Sequence, residues 1–276
     1  MVEPIILNAA IFTVIILTAV GIFFGLVLSI ANKKFKVEAN PLIEEVEEIL
    51  PKGQCGACGY AGCAAYAEAV VLNPDVAPTL CIPGKQAVAD EVAHITGKVA
   101  EKVAPRVAHI RCAGNKDKAK FAYEYTGVKE CGAASMLHFG PKECKYGCVG
   151  FGNCVAVCNF GALVMNDDGL PVVDKAKCTG CGACEKACPK AVILMLPLDA
   201  HVKVDCNSKD KGAVAKKACS AACIGCGLCV KNCPYQAVKL ENNLAIVDSA
   251  ICVEKCSDAT CVTKCPTGAI NTVRQN

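Results

Sequence analysis

Residues 178–189 read CTGCGACEKACP, and residues 223–234 read CIGCGLCVKNCP. Both follow C-x2-C-x2-C-x3-C-P, the run of bacterial ferredoxins, whose fourth cysteine ligates the other cluster of a pair. The spacing has a physical reason. Three thiolates with two residues between them wrap one cubane, and the chain then turns and carries the fourth across. A zinc site accounts for four cysteines but not for two such runs. Each run needs a partner block. Cys144, Cys148, Cys154 and Cys158 precede the first, and Cys252, Cys256, Cys261 and Cys265 follow the second. The crossover rule groups Cys144, Cys148 and Cys154 with Cys188, and Cys178, Cys181 and Cys184 with Cys158. It likewise groups Cys223, Cys226 and Cys229 with Cys265, and Cys252, Cys256 and Cys261 with Cys233. Four local ligands per cluster is the alternative, and it uses the same residues.

The two halves repeat. Cys131, Cys144, Cys148, Cys154 and Cys158 step by 13, 4, 6 and 4 residues, as do Cys206, Cys219, Cys223, Cys229 and Cys233. Phe151 stands where the second copy has Cys226. Upstream, Cys55, Cys58, Cys63 and Cys81 suit one 4Fe-4S cluster, with a zinc ion as the alternative. Gly53, Gly56, Gly59 and Gly62 allow a backbone there to approach inorganic sulfide and donate N–H bonds. Cys112, Cys131, Cys206 and Cys219 remain. They either hold a sixth cluster bridging the repeats or are free, buried thiols. The expectation is five 4Fe-4S clusters, and a sixth from these four cysteines.

Composition points the same way. The chain has 24 cysteines in 276 residues. Such density marks a disulfide scaffold, metal ligands or clusters, and disulfide frameworks belong to short secreted chains. Trp is absent and aromatics are 5%, so bound metal must supply part of the folding free energy. A net charge of +3 without aromatic–basic interleaving gives no footing for nucleic acid. Residues 5–30 carry no charge, a longer run than the roughly 20 residues a bilayer-crossing helix needs. The run is too long for a signal-peptide core. Glu3 precedes it, and Lys33, Lys34 and Lys36 follow. The positive-inside rule then predicts a single pass through the cell membrane. The N-terminus lies outside, and everything from Asn32 onward is cytoplasmic, where thiols stay reduced.

Residues 37–50 read as an amphipathic linker helix, and the Ala/Val-rich stretch 85–108 as helical. From Cys144 onward, short strands and single helical turns surround the cysteines. The predicted class is α+β. It comprises an N-terminal transmembrane helix (1–31), a linker and small helical 4Fe-4S domain (32–110), and two bacterial 2[4Fe-4S] ferredoxin-like modules (111–200 and 201–276). Lys98, Lys102, Arg106, Arg111, Lys116, Lys118, Lys120 and Lys129 form either a basic face that steers an acidic electron donor or a solvated helical face. His94, His109, His138 and His201 are scattered and read as structural. No dinucleotide fingerprint, P-loop or nucleophile elbow appears, so no catalytic residue for an organic substrate is assigned.

CGACGYAGC (55–63) with Cys81, RCAGN (111–115), KYGCVGFGNCVAVC (145–158) and CPKAV (188–192) together resemble the RnfB family, the B component of the Rnf complex. That complex is a membrane-bound, ion-translocating ferredoxin:NAD oxidoreductase, and the resemblance covers nearly the whole chain. The second ferredoxin unit looks like the longer form of the family. The resemblance implies a redox subunit that accepts electrons from reduced ferredoxin. It would relay them through 4Fe-4S clusters to the membrane subunits, with NAD, flavins and the translocated ion handled by partners. A polyferredoxin serving a hydrogenase or disulfide reductase is the alternative. A reductive activator of a corrinoid protein, suggested by the first cluster domain, fits the anchor and the repeats less well.

Overall fold

The computed structural model describes residues 3–34 and 40–272. They fall into two units, divided at Pro41. The first is the helix α1 (Glu3–Lys34). Its stretch Ile11–Ala31 spans 21 residues with a mean hydropathy of 2.8, long and apolar enough to cross a membrane. Phe12, Leu17, Phe23 and Leu28 are all exposed along it. A helix apolar all round suits a lipid environment rather than one packed face. Lys33 and Lys34 close its last turn, at the negative end of the helix dipole. Lys36 and the first residues of the expected 37–50 helix lie outside the described residues.

The second unit is entered through α2 (Pro41–Ile49), with proline at its first position. It continues with α3 (Cys63–Leu72) and α4 (Lys85–Thr96). Val46, Leu50, Val70 and Val92 close around Tyr66, whose side chain is 1% exposed. The Tyr66 hydroxyl is shared between the carbonyl oxygens of Ala77 and Pro78, at 3.0 and 2.9 Å. Helix α4 stops well short of residue 108. Gly97 caps it with a left-handed backbone (φ 67), and Pro105 precedes a strand instead. Lys98 does not face solvent as a steering charge. Its Nζ donates to the carbonyls of Val70, Asn73 and Val76 at 2.7, 2.7 and 2.8 Å, closing the open end of α3.

Two modules of one design follow. In the first, β1 (Arg106–Ile110) pairs antiparallel with the last strand, β4 (Ile193–Pro197). Between them lie α5 (Cys131–Met136), the one-turn helix α6 (Asn153–Ala156), the hairpin of β2 (Leu163–Met165) and β3 (Pro171–Val173), and the one-turn helix α7 (Ala183–Lys186). The second module repeats the scheme. Strand β5 (Val202–Val204) pairs with β8 (Ile270–Thr272), around α8 (Gly212–Ala218), α9 (Leu228–Lys231), the hairpin of β6 (Val238–Glu241) and β7 (Leu244–Val247), α10 (Ser249–Lys255) and α11 (Thr260–Thr263). The carboxylate of Asp248 caps α10, accepting from the N–H groups of Ala250 and Ile251. Arg106–Ile110 therefore closes the sheet of the first ferredoxin-like module, where composition predicts helix as far as residue 108.

The stretch after β1, the least legible in sequence, ties the modules together. Ala119 bridges Cys219, and Phe121 bridges Lys142. The Lys120 N–H donates to Ala218 O and the Ser220 N–H to Lys118 O, both at 2.9 Å. His109, buried on β1, lies 3.2 Å from Val204 O and 3.4 Å from Asp205. The module cores are built mostly from Val, Ala, Ile and Cys, with Leu163, Met195 and Leu244.

Gly180, inside the first ferredoxin run, has φ +74, and a Cβ there would run into the Arg106 carbonyl oxygen. Gly161 has φ +59 but open space around it. Gly161→Ala should cost only the left-handed backbone penalty, about 1–3 kcal/mol, and Gly180→Ala distinctly more. Thermal unfolding of the cluster-loaded chain should rank the midpoints native, Gly161→Ala, Gly180→Ala.

Candidate metal centres

The cysteines gather in sets of four. Cys55, Cys58, Cys63 and Cys81 line one cavity, closed off by Tyr66 and Pro83. Cys158, Cys178, Cys181 and Cys184 line a second. A third cavity is walled by Cys131, Cys148, Cys154 and Cys188. A fourth is walled by Cys112, Cys144, Cys206 and Cys219. In the second module Cys252 neighbours Cys256, Cys261 and Cys233. Cys229 neighbours Cys223 and Cys226, with Cys265 packed in the same core.

Two positions differ from the grouping expected from spacing. Cys144 sits with Cys112, Cys206 and Cys219, and Cys131 takes its place beside Cys148, Cys154 and Cys188. The cause lies in Phe151. The first copy has no thiol at the position of Cys226, and Cys131 approaches from α5, packing against the Phe151 side. In the second copy Cys226 is present, and Cys206, the counterpart of Cys131, is released to the fourth cavity. The gap at Phe151 is visible in sequence; the long reach from residue 131 is not.

Local structure presents the thiols. Cys154, Cys184, Cys229 and Cys261 lie buried in the one-turn helices α6, α7, α9 and α11. Backbone N–H groups point at several sulfurs. Cys148 N–H donates to Cys112 Sγ at 3.4 Å, Ala162 to Cys158 Sγ at 3.3 Å, Ser208 to Cys206 Sγ at 3.4 Å and Ala108 to Cys178 Sγ at 3.5 Å. Such donors tune a bound cluster, and no spacing rule identifies them.

Burial dominates the thiol electrostatics. It pushes Cys148 and Cys184 up to about 12, and Cys81, Cys154, Cys206, Cys229 and Cys252 up to about 11, with neighbouring thiols adding to the shift. Cys265 differs. Burial raises it, but the N–H groups of Ile270, Thr267 and Ala269 outweigh that and leave it below the ordinary thiol value. Four such thiols ionise together only around a polycationic core, which deprotonates its ligands outright. Among the described residues no three His, Cys, Asp or Glu side chains converge on a single ion. Sets of four thiols that do not converge on a single point suit a multi-atom core better than one zinc.

The sets form a file. Cys55 is within electrostatic reach of Cys181, and Asn159 Nδ2 donates to Gly53 O at 2.9 Å across the same junction. Cys184 reaches Cys154, and Cys148 reaches Cys112. Cys206 reaches both Cys144 and Cys223. Helices α9 and α11 then pack together and bring the last two sets side by side.

Comparison with known proteins points to iron–sulfur chemistry. Residues 50–83 match the family model "Putative Fe-S cluster", and residues 171–194 and 220–239 match "4Fe-4S binding domain". The B component of the proton-translocating ferredoxin:NAD(+) oxidoreductase complex of Clostridium ljungdahlii is 56% identical over 97% of this chain and 94% of that protein. The chain belongs to the RnfB family. The corresponding component of the Na(+)-translocating complex of Acetobacterium woodii is 42% identical over 96% of the chain and 78% of that protein. Its counterpart in the ion-translocating oxidoreductase complex of Methanosarcina acetivorans is 41% identical over 94% of the chain and 96% of that protein. RnfB proteins thus differ in the ion their complexes are named for.

With cores so rich in thiols, removal of iron and sulfide by an anaerobic chelator should unfold the modules beyond Leu42 and leave α1 helical. Circular dichroism should lose the strand and short-helix signal and retain that of one long helix.

Proposed function

We propose that this chain is the electron-transfer subunit of a membrane-bound, ion-translocating ferredoxin:NAD+ oxidoreductase. It takes electrons from reduced ferredoxin and relays them through six 4Fe-4S clusters to the membrane subunits. The observation that carries this reading is the unbroken file of thiol sets, which uses all 24 cysteines. In this reading the ligand sets are Cys55/58/63/81, Cys158/178/181/184, Cys131/148/154/188, Cys112/144/206/219, Cys223/226/229/265 and Cys233/252/256/261. When bound, each cluster supplies a one-electron acceptor. The protein's own part is to fix the thiolates, aim N–H donors at them and exclude water with Val, Ala and Ile.

The file gives the relay a polarity. The set at Cys55 lies nearest in sequence to the anchor and is the exit toward the membrane subunits. The second ferredoxin module is the entry for ferredoxin on the cytoplasmic side. Likeness to RnfB proteins over nearly the full length favours this reading over a carrier for a hydrogenase or disulfide reductase.

Iron and acid-labile sulfide should each approach about 24 per chain, against about 20 for five clusters. Cys131→Ser should lose one cluster's iron, and adding Phe151→Cys should restore it by supplying the missing thiol of the first copy. Cys144→Ser and Cys112→Ser should abolish one common signal, distinct from that lost in Cys188→Ser. Purified protein should be reduced by reduced ferredoxin. Failure of that reduction with full iron content would overturn the assignment of the donor.

A further inference from the structure

Lys142 is only 6% exposed. It lines the cavity walled by Cys112, Cys144, Cys206 and Cys219, which joins the two modules. Its Nζ donates to the Gly114 carbonyl oxygen at 2.7 Å and stands 5.9 Å from the centre of the Phe121 ring. Among the described residues it makes no ion pair. Backbone bonds on both sides hold it in place: Ala122 N–H donates to Pro141 O at 2.8 Å, and Glu143 N–H to Lys120 O at 2.9 Å. An ammonium so enclosed is strongly destabilising unless an opposite charge lies close.

The wall of this cavity carries one carboxylate, Asp205. It is already engaged by Lys203 at 3.3 Å, His109 at 3.4 Å and Asn271 at 2.7 Å. Further cations also lie near these thiols. Arg111 acts on Cys206, Lys190 on Cys144 and the exposed Lys118 on Cys219. Lys142 itself acts on Cys148 and Cys219. The anion that matches Lys142 is therefore the one the four thiolates form. A cluster held by four thiolates is negatively charged and gains a further negative charge on reduction. A fixed cation beside it, in a medium that screens poorly, stabilises the reduced form more than the oxidised form.

We propose that Lys142 is the built-in counter-charge of the linking cluster and holds its reduction potential above the value its four cysteines alone would set. The residue acts through charge and position and is not a ligand. This rests on the reading that Cys112, Cys144, Cys206 and Cys219 bind a cluster, and the test separates the two claims.

The experiment is an anaerobic redox titration of the full-length, cluster-loaded chain, followed by electron paramagnetic resonance, with iron counted on the same samples. The signal missing from Cys112→Ser identifies the linking cluster. Lys142→Met, which keeps most of the side chain's length and removes its charge, should shift that signal's midpoint to more negative potential. Lys142→Arg should restore it; a smaller negative shift is expected at the neighbouring cluster of Cys148, which Lys142 also reaches, and the remaining midpoints should stay in place. Should Lys142→Met lose iron, Lys142→Gln decides, since it keeps a donor for the Gly114 carbonyl without a charge; the same negative shift is expected. A native midpoint in the uncharged variant that retains iron overturns the proposal alone. Unchanged iron in Cys112→Ser removes the linking cluster and the proposal with it.

Discussion

A thiol buried away from water holds its proton, and the structure depends on overriding that preference. Seven cysteines spread over the modules are pushed by burial to about 11 or 12. The space between them is lined by small aliphatic groups. Each cavity is thus a poor place for thiolates and a good one for a positively charged core that draws thiolates to itself. The same arrangement explains how 276 residues hold their shape with no Trp and few aromatics. The inward positions that a larger core would give to rings are held by cysteine, alanine and small aliphatic residues.

How much of this is legible in sequence depends on how local the information is. The runs at Cys178–Cys188 and Cys223–Cys233 are local, because the ligand spacing and the turn between ligands are set by a dozen residues. The apolar α1 is equally local, since its composition alone decides it. The exchange of Cys131 and Cys144 is not legible. Counting along the chain pairs Cys131 with Cys206 by symmetry, and the missing thiol at Phe151 breaks that symmetry in three dimensions. Residues 106–108 mislead for a related reason. Val107 and Ala108 suit helix and strand alike, and the choice is made by a partner strand nearly ninety positions away.

The basic residues between 98 and 145 divide their labour rather than forming one face. Lys98 finishes a helix, Lys116 ties to the Asp167 carbonyl at 2.7 Å, and Lys142 faces the thiols of the junction. Charge counting in sequence weighs these alike. Their different burial separates structural, peripheral and electrostatic roles, since a lysine in water is screened and one enclosed by protein is not.

The junction also bears on how such a chain arises. Its walls take Cys112 and Cys144 from one copy of the repeat and Cys206 and Cys219 from the other. No single copy supplies all four of these cysteines, and two unlinked copies would have to meet in one orientation. Tandem copies supply both halves at a fixed separation, and the absence of a thiol at Phe151, where the other copy has Cys226, makes the copies unequal. The junction thus needs cysteines from both copies, and the asymmetry between the copies fixes which thiols face it.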